Sequence, residues 1–152
     1  MTPQPGISAN RWLVVRREIA GARIARAAAW LNDASRILDQ PVEEFVAATR
    51  DRDLALFYLF LAIQECIDLC AHWVADAGWG APDDAGSTFD VLAARHCIDR
   101  DLANDLRLAA GLRNRIGHGY AMLDYRRVHA ESQAGLPSLR RFLAAVAREA
   151  GL

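Results

Sequence analysis

The sequence contains no lysine; all eighteen of its basic residues are arginine. No ε-amino group is present to act as base, nucleophile or Schiff-base former, and every side-chain cation other than histidine is a planar, permanently charged fork. Cysteine is scarce and odd in number: Cys66, Cys70 and Cys97. With no apolar leader in the polar, Pro- and Gly-containing stretch Met1–Asn10, this argues for a reducing, cytoplasmic setting. Cys66 and Cys70 stand one helical turn apart in an apolar run, where thiols behave as small hydrophobes. Drawn together with His72, His96 and Cys97 they match no standard zinc spacing, so neither a metal nor a cofactor is expected. No run of eighteen uninterrupted apolar residues occurs, so by that criterion no membrane span is expected. β-branched runs are few, and strand signals are essentially missing.

What remains is a chain of 152 residues rich in Ala, Leu and Arg, long enough for one all-α domain with a real core. Residues 11–150 are expected to form it, after a flexible segment 1–10. Net charge is only −1, so the chain as a whole is no polycation for nucleic acid. The charge is unevenly spread. Residues 1–40 carry six Arg against three acids, residues 41–112 five against thirteen, and residues 113–152 seven against three. That layout suits a local anion site or pairing between chains of opposite sign, and solvated helix faces account for many of the charges as well.

Ser8 or Asn10 can cap a first long helix to about Leu38, with Leu13, Ile19, Ala22, Ile24, Ala28 and Leu31 as its apolar positions. Pro41 suits the first turn of a short helix holding Phe45 and Val46. Asp51 or Asp53 opens a second long helix to about Ala77, stopped by Gly78 and Gly80. From Leu54 to Ile63 that helix is apolar all round, a pattern that calls for cover on every side and, in so small a domain, for a second subunit. Beyond it Gln64, Glu65, Asp68 and His72 recur at three- and four-residue spacing, a polar stripe facing either solvent or a cleft. Thr88 caps a short helix, Asp99 or Asp101 the next, and a further helix begins near Asp124. Gly135 and Pro137 interrupt that last helix, leaving a separate final segment, Ser138 to Glu149.

The densest chemistry lies in the run Arg113-Asn114-Arg115-Ile116-Gly117-His118-Gly119-Tyr120. Arginine grips a phosphate through two parallel hydrogen bonds. Histidine takes and returns a proton near neutral pH. Together they make a minimal set for RNA cleavage, with the ribose 2′-hydroxyl attacking its own phosphorus and a 2′,3′-cyclic phosphate as product. One histidine per chain is short of an acid and a base, and a symmetric dimer supplies the second. The plainer alternative is a helix C-terminus decorated with cations, which the macrodipole favours.

Arg113, four residues, His118, one residue and Tyr120 match the Arg-x4-His-x-Tyr motif, and the sequence resembles HEPN-domain toxins of the HepT type. LRNRIGHGYAMLD is similar to that family's signature stretch, and RDLALFYLFLAIQECIDLCAHWVADAG to its central helix. The resemblance covers residues 8 to 150 in element order. It implies an antiparallel four- to five-helix bundle that dimerises through its long helices. It implies a metal-independent endoribonuclease neutralised by a cognate minimal nucleotidyltransferase antitoxin, with RNA as substrate. Carried over, Arg113 binds phosphate, His118 is catalytic and Tyr120 is the tyrosine to which the antitoxin transfers AMP. Asn114, Glu65 and Asp68 support the site. Gly117 departs from the family's bulky apolar residue and is expected to loosen the turn carrying His118; Pro137 shortens a helix that is often longer. Two other functions remain open: a non-catalytic nucleotide-binding module, and an accessory or substrate subunit of a nucleotidyltransferase.

Overall fold

A computed structural model of the chain describes residues 8–80, 82–119 and 122–152, with side chains described from Arg17 onward. Among these, six helices and no strand occur: α1 (Ser8–Leu38), α2 (Val42–Ala47), α3 (Thr49–Asp76), α4 (Ala85–Ala94), α5 (Arg100–Gly117) and α6 (Tyr125–Ala150). The helix count exceeds the expected four to five because short α2 and α4 stand as elements beside four longer ones. Ser8–Asn10 already belong to α1, and Met1–Ile7 lie outside the described residues, as do the side chains of the expected caps Ser8 and Asn10 and of Leu13.

Local chemistry starts the helices. Asp99 accepts from the Leu102 amide (2.7 Å) and Asp124 from the Arg127 amide (3.2 Å), each using its carboxylate for a donor the first helical turn cannot satisfy. For α4 the cap is Asp84, which accepts from the Ser87 amide at 2.7 Å. The expected cap, Thr88, sits inside that helix and donates its hydroxyl back to the Asp84 carbonyl (3.1 Å). Helix α3 begins two residues before Asp51, with Ala48 at its cap position and no side-chain bond there.

Helix α6 is continuous where a break was expected. Pro137 removes one amide donor, but it faces solvent, and the inward face runs straight past it: Leu136, Leu139, Phe142, Leu143 and Val146 are buried. That burial outweighs one lost hydrogen bond. Phe142 packs edge-on against Phe89 of α4, ring centroids 5.4 Å apart at 88°, an arrangement contributing about 1 kcal/mol beyond its area.

Helix α1 runs antiparallel to both α3 and α6. Arg23 of α1 meets Glu65 of α3, while further back Arg17 donates to the Gly151 carbonyl (2.7 Å). At the other end of α1 the α6 side chains Gln133 and His129 reach the Leu38 and Gln40 carbonyls, at 2.5 and 3.0 Å. Leu31 is fully buried, but Ile19 is 56% exposed and Ala22 also faces outward, against expectation. Helix α3 is the central element. It is long and apolar enough, by length and composition, to cross a membrane once two charges are tolerated; just over half of that stretch is buried within the bundle (56%). Counting uninterrupted apolar residues misses this helix.

Candidate active site at the end of helix α5

Arg113 and Asn114 stand near the C-terminal end of α5, and His118 forms its C-cap. The Arg113 guanidinium is half-buried and donates twice: to the Gln64 side-chain carbonyl on α3 (2.6 Å) and to the Asn114 side-chain carbonyl (2.5 Å). Gln64 in turn donates to Asp68, one turn further along α3, at 3.0 Å. The Arg113 Nε is buried and, among the described residues, has no acceptor. A chain Asp68–Gln64–Arg113–Asn114 therefore crosses from α3 to α5, orienting a cation whose remaining donors are uncommitted there.

Asn114 also ties the arginine to the histidine. Its backbone carbonyl accepts from the His118 amide (3.1 Å), so one residue holds the Arg113 side chain and the His118 main chain. Asn114 and His118 are four apart, on one exposed face. Gly119 then takes φ +131°, a conformation that L side chains rarely adopt, and turns the chain away. Tyr120 lies outside the described residues.

Gly117 does not break the helix. A Cβ built there would lie 3.3 Å from Cε2 of Phe60, so the missing side chain lets a phenyl ring of α3 close against the turn that bears His118. Where loosening was expected, α3 and α5 approach more closely.

The polar stripe on α3 divides. Gln64 and Asp68 turn to α5. Glu65, 8% exposed, turns to α1, with Arg23 Nε at 2.9 Å and Arg26 Nη2 at 3.5 Å. Its Oε1 pairs with Arg23 by charge without hydrogen-bond alignment. His72 is exposed and lines a separate cavity. Of the expected supporting residues, Asp68 and Asn114 belong to the Arg113 network, and Glu65 belongs to the α1–α3 seam. The second guanidinium of the run, Arg115, pairs instead with Glu131 of α6, beside Arg127. Burial raises the Glu131 carboxyl, but the hydrogen bonds and charges of Arg115 and Arg127 outweigh it and leave the group below its ordinary value. Gln64 is the residue sequence reasoning undervalued: its place in the stripe was visible, its partner was not.

The thiols play no part in this arrangement. Burial raises Cys66 and Cys70 far above the usual thiol range, and Cys97 is raised too. Among the described residues no three His, Cys, Asp or Glu side chains gather as a metal site.

An all-helical bundle with an Arg-x4-His-x-Tyr run closing one helix defines a HEPN-type protein. A family model described as ribonuclease HepT-like matches residues 28–146. The chain belongs to the HepT-like family.

Solved structures share the fold. One is a toxin–antitoxin complex with AMP-PNP, 22% identical, with a TM-score of 0.76 over 84% of this chain and 97% of that one. Another is the tri-AMPylated Shewanella oneidensis HEPN toxin in complex with MNT antitoxin, 23% identical, TM-score 0.77, covering 84% and 96%. A mutant of the toxin–antitoxin pair MntA-HpeT is 22% identical, TM-score 0.76, covering 85% and 97%. No curated protein matches.

Proposed function

We propose that this protein is the toxin of a toxin–antitoxin pair and a metal-independent endoribonuclease acting in the cytoplasm. The observation that carries the reading is the Asp68–Gln64–Arg113–Asn114 chain, which presents an oriented guanidinium on the turn that bears His118. In this reading Arg113 holds the scissile phosphate and stabilises the charge that builds on its oxygens. His118 serves proton transfer: the 2′-oxygen bonds to phosphorus, the bond to the 5′-oxygen breaks, and a proton passes to that leaving oxygen. The products are a 2′,3′-cyclic phosphate and a free 5′-hydroxyl.

A homodimer completes the acid–base pair by bringing a second His118 to the same cleft. Supporting it, Leu54 and Phe57 of α3 are 43% and 49% exposed, and Leu108 of α5 is 73% exposed. These large apolar side chains stand on the two helices that form the site.

The partner is a minimal nucleotidyltransferase antitoxin, supported by the complexes in which the structural relatives were solved. Its mode of silencing is transfer of AMP to Tyr120: the phenol oxygen attacks the α-phosphorus of ATP and pyrophosphate leaves. An added anion in the Arg-x4-His-x-Tyr run would then compete with RNA for the Arg113 guanidinium.

The test is cleavage of RNA by the purified chain in EDTA. Wild type is expected to leave 2′,3′-cyclic phosphate ends, while His118→Ala and Arg113→Ala lose cleavage and retain their helical spectrum and mass in solution. Equal cleavage by wild type and His118→Ala overturns the reading. For the partner, incubation with the antitoxin and ATP is expected to add one or more AMP masses at Tyr120, and an unmodified tyrosine counts against that mode of silencing.

A further inference from the structure

A cavity of about 630 Å³, within the range of small-molecule sites, opens between the first part of α1 and the C-terminal ends of α3 and α6. Two half-buried indoles, Trp73 and Trp79, line it, with Arg17, Arg23 and His72 around them. Asp76 and Glu149 add carboxylates. The four lining residues that α1 contributes, from Arg17 to Arg23, all precede residue 28, where the family match begins. The cavity is thus built in part from a segment that the family model does not include.

The indoles are held in place. Helix α3 ends in a Schellman turn, with Gly78 at φ +72°, its amide bonded to the Ala75 carbonyl (3.1 Å) and the Trp79 amide to the Val74 carbonyl (3.0 Å). That turn brings Trp79 to the wall that Trp73 also lines, and the Arg95 guanidinium sits over the Trp79 ring, 5.2 Å from its centroid. The arginines are oriented as well: Arg17 donates to the Gly151 carbonyl and Arg23 faces Glu65.

Each part of this wall selects something. Flat indole faces favour a planar ring over an aliphatic chain. Arginines beside a histidine favour an anion. Carboxylates accept from ring N–H or amino groups. The ligand that meets all three is a purine nucleotide, and we propose that the cavity binds one, base against Trp73 and Trp79, phosphate toward Arg17 and Arg23. Two sources carry that chemistry: a free mononucleotide, or a purine of an RNA strand. The second is geometrically open because His72 lies eight residues, and thus about 12 Å, along α3 from Gln64, the Arg113 partner.

The experiment follows the indole N–H resonances of the ¹⁵N-labelled full chain carrying His118→Ala. Signals are assigned with Trp30→Phe, Trp73→Phe and Trp79→Phe, and Trp30, on α1, serves as internal reference. AMP, GMP and a short purine-rich RNA are titrated separately, in EDTA. Saturable shifts of Trp73 and Trp79 are expected, with Trp30 unmoved. Arg17→Glu and His72→Ala, both at exposed positions, are each expected to weaken the affinity about tenfold. Saturation by AMP or GMP assigns the site to free nucleotide; saturation by RNA alone assigns it to a base of the strand. Absence of saturable shifts with all three overturns the proposal, as does binding unchanged in Arg17→Glu. Binding is read in a chain that need not cleave, so the result is independent of the ribonuclease reading.

Discussion

Arg113 reaches across from α5 to α3 and finds the one face of Gln64 that accepts, while the other face of the same amide donates to Asp68. The two bonds fix the amide's orientation, since exchanging its oxygen and nitrogen would set donor against donor at Arg113. A neutral side chain thus holds the arginine still, with the carboxylate kept one step back.

Gln64 is accordingly expected to position the arginine. Gln64→Met keeps the volume and removes both bonds. RNA cleavage in EDTA should fall about tenfold, mostly in kcat, with little change in thermal midpoint. Gln64→Glu would pair the guanidinium with a formal charge, and should raise KM for RNA by competing with phosphate. A Gln64→Met enzyme with wild-type kcat would remove the positioning role.

Gly117 and Phe60 should behave as a coupled pair. Alanine at 117 gains helix propensity, up to about 1 kcal/mol, against a Cβ 3.3 Å from the Phe60 ring. Gly117→Ala alone should be nearly neutral in denaturant unfolding. In a Phe60→Ala background it should stabilise, with a coupling energy of about 0.5–1 kcal/mol. Additive effects would show that the ring yields freely.

The exposed apolar face of α3 offers a direct test of assembly. Phe57 is 49% exposed, so Phe57→Asp should leave the fold of one chain intact. By sedimentation, wild type is expected at twice the chain mass and Phe57→Asp at the single mass, with cleavage lost alongside. A wild-type monomer that cleaves RNA would separate activity from dimerisation.

Acid should weaken the α5–α6 seam. Glu131 titrates below its ordinary value of 4.5, so the unfolded chain takes up its proton first as pH falls. Its contribution is complete above pH 4.5 and is lost as pH falls through the folded value. Glu131→Gln should lower stability by about 0.5–1 kcal/mol at pH 7, and its urea midpoint should fall less steeply below pH 4.5 than that of wild type. Asp99, held low by the Leu102 amide, adds to the same acid limb in both proteins.

Elements read correctly from sequence are those with local causes. Asp99 and Asp124 are legible as the caps of α5 and α6 because each bond spans only three residues. The break expected at Pro137 is a case where local chemistry loses to tertiary burial around Leu136, Leu139 and Phe142. The site divides the same way. Arg113 and His118 are legible in their motif. The parting of Gln64 from Glu65 was not, because neighbouring helical residues point about 100° apart and spacing alone does not tell which helix packs on which side. Arg23 and Arg26 were visible only as part of a positive segment beside an acidic one.

Glu65 has a consequence beyond its charge pairs. Between Ala20 and Ala34, seven of fifteen α1 residues are alanine, and small side chains leave Leu31 as the one large, fully buried knob of that stretch. A register one turn off, about 5.4 Å, would move Leu31 out of its pocket but leave the alanine contacts much as they are. Slippage here would strand a buried carboxylate away from Arg23 and Arg26, a penalty of several kcal/mol. Glu65 is thus an index pin: it sets where α1 stops along α3, and so decides that Arg17 arrives at the chain's far end rather than one turn short of it.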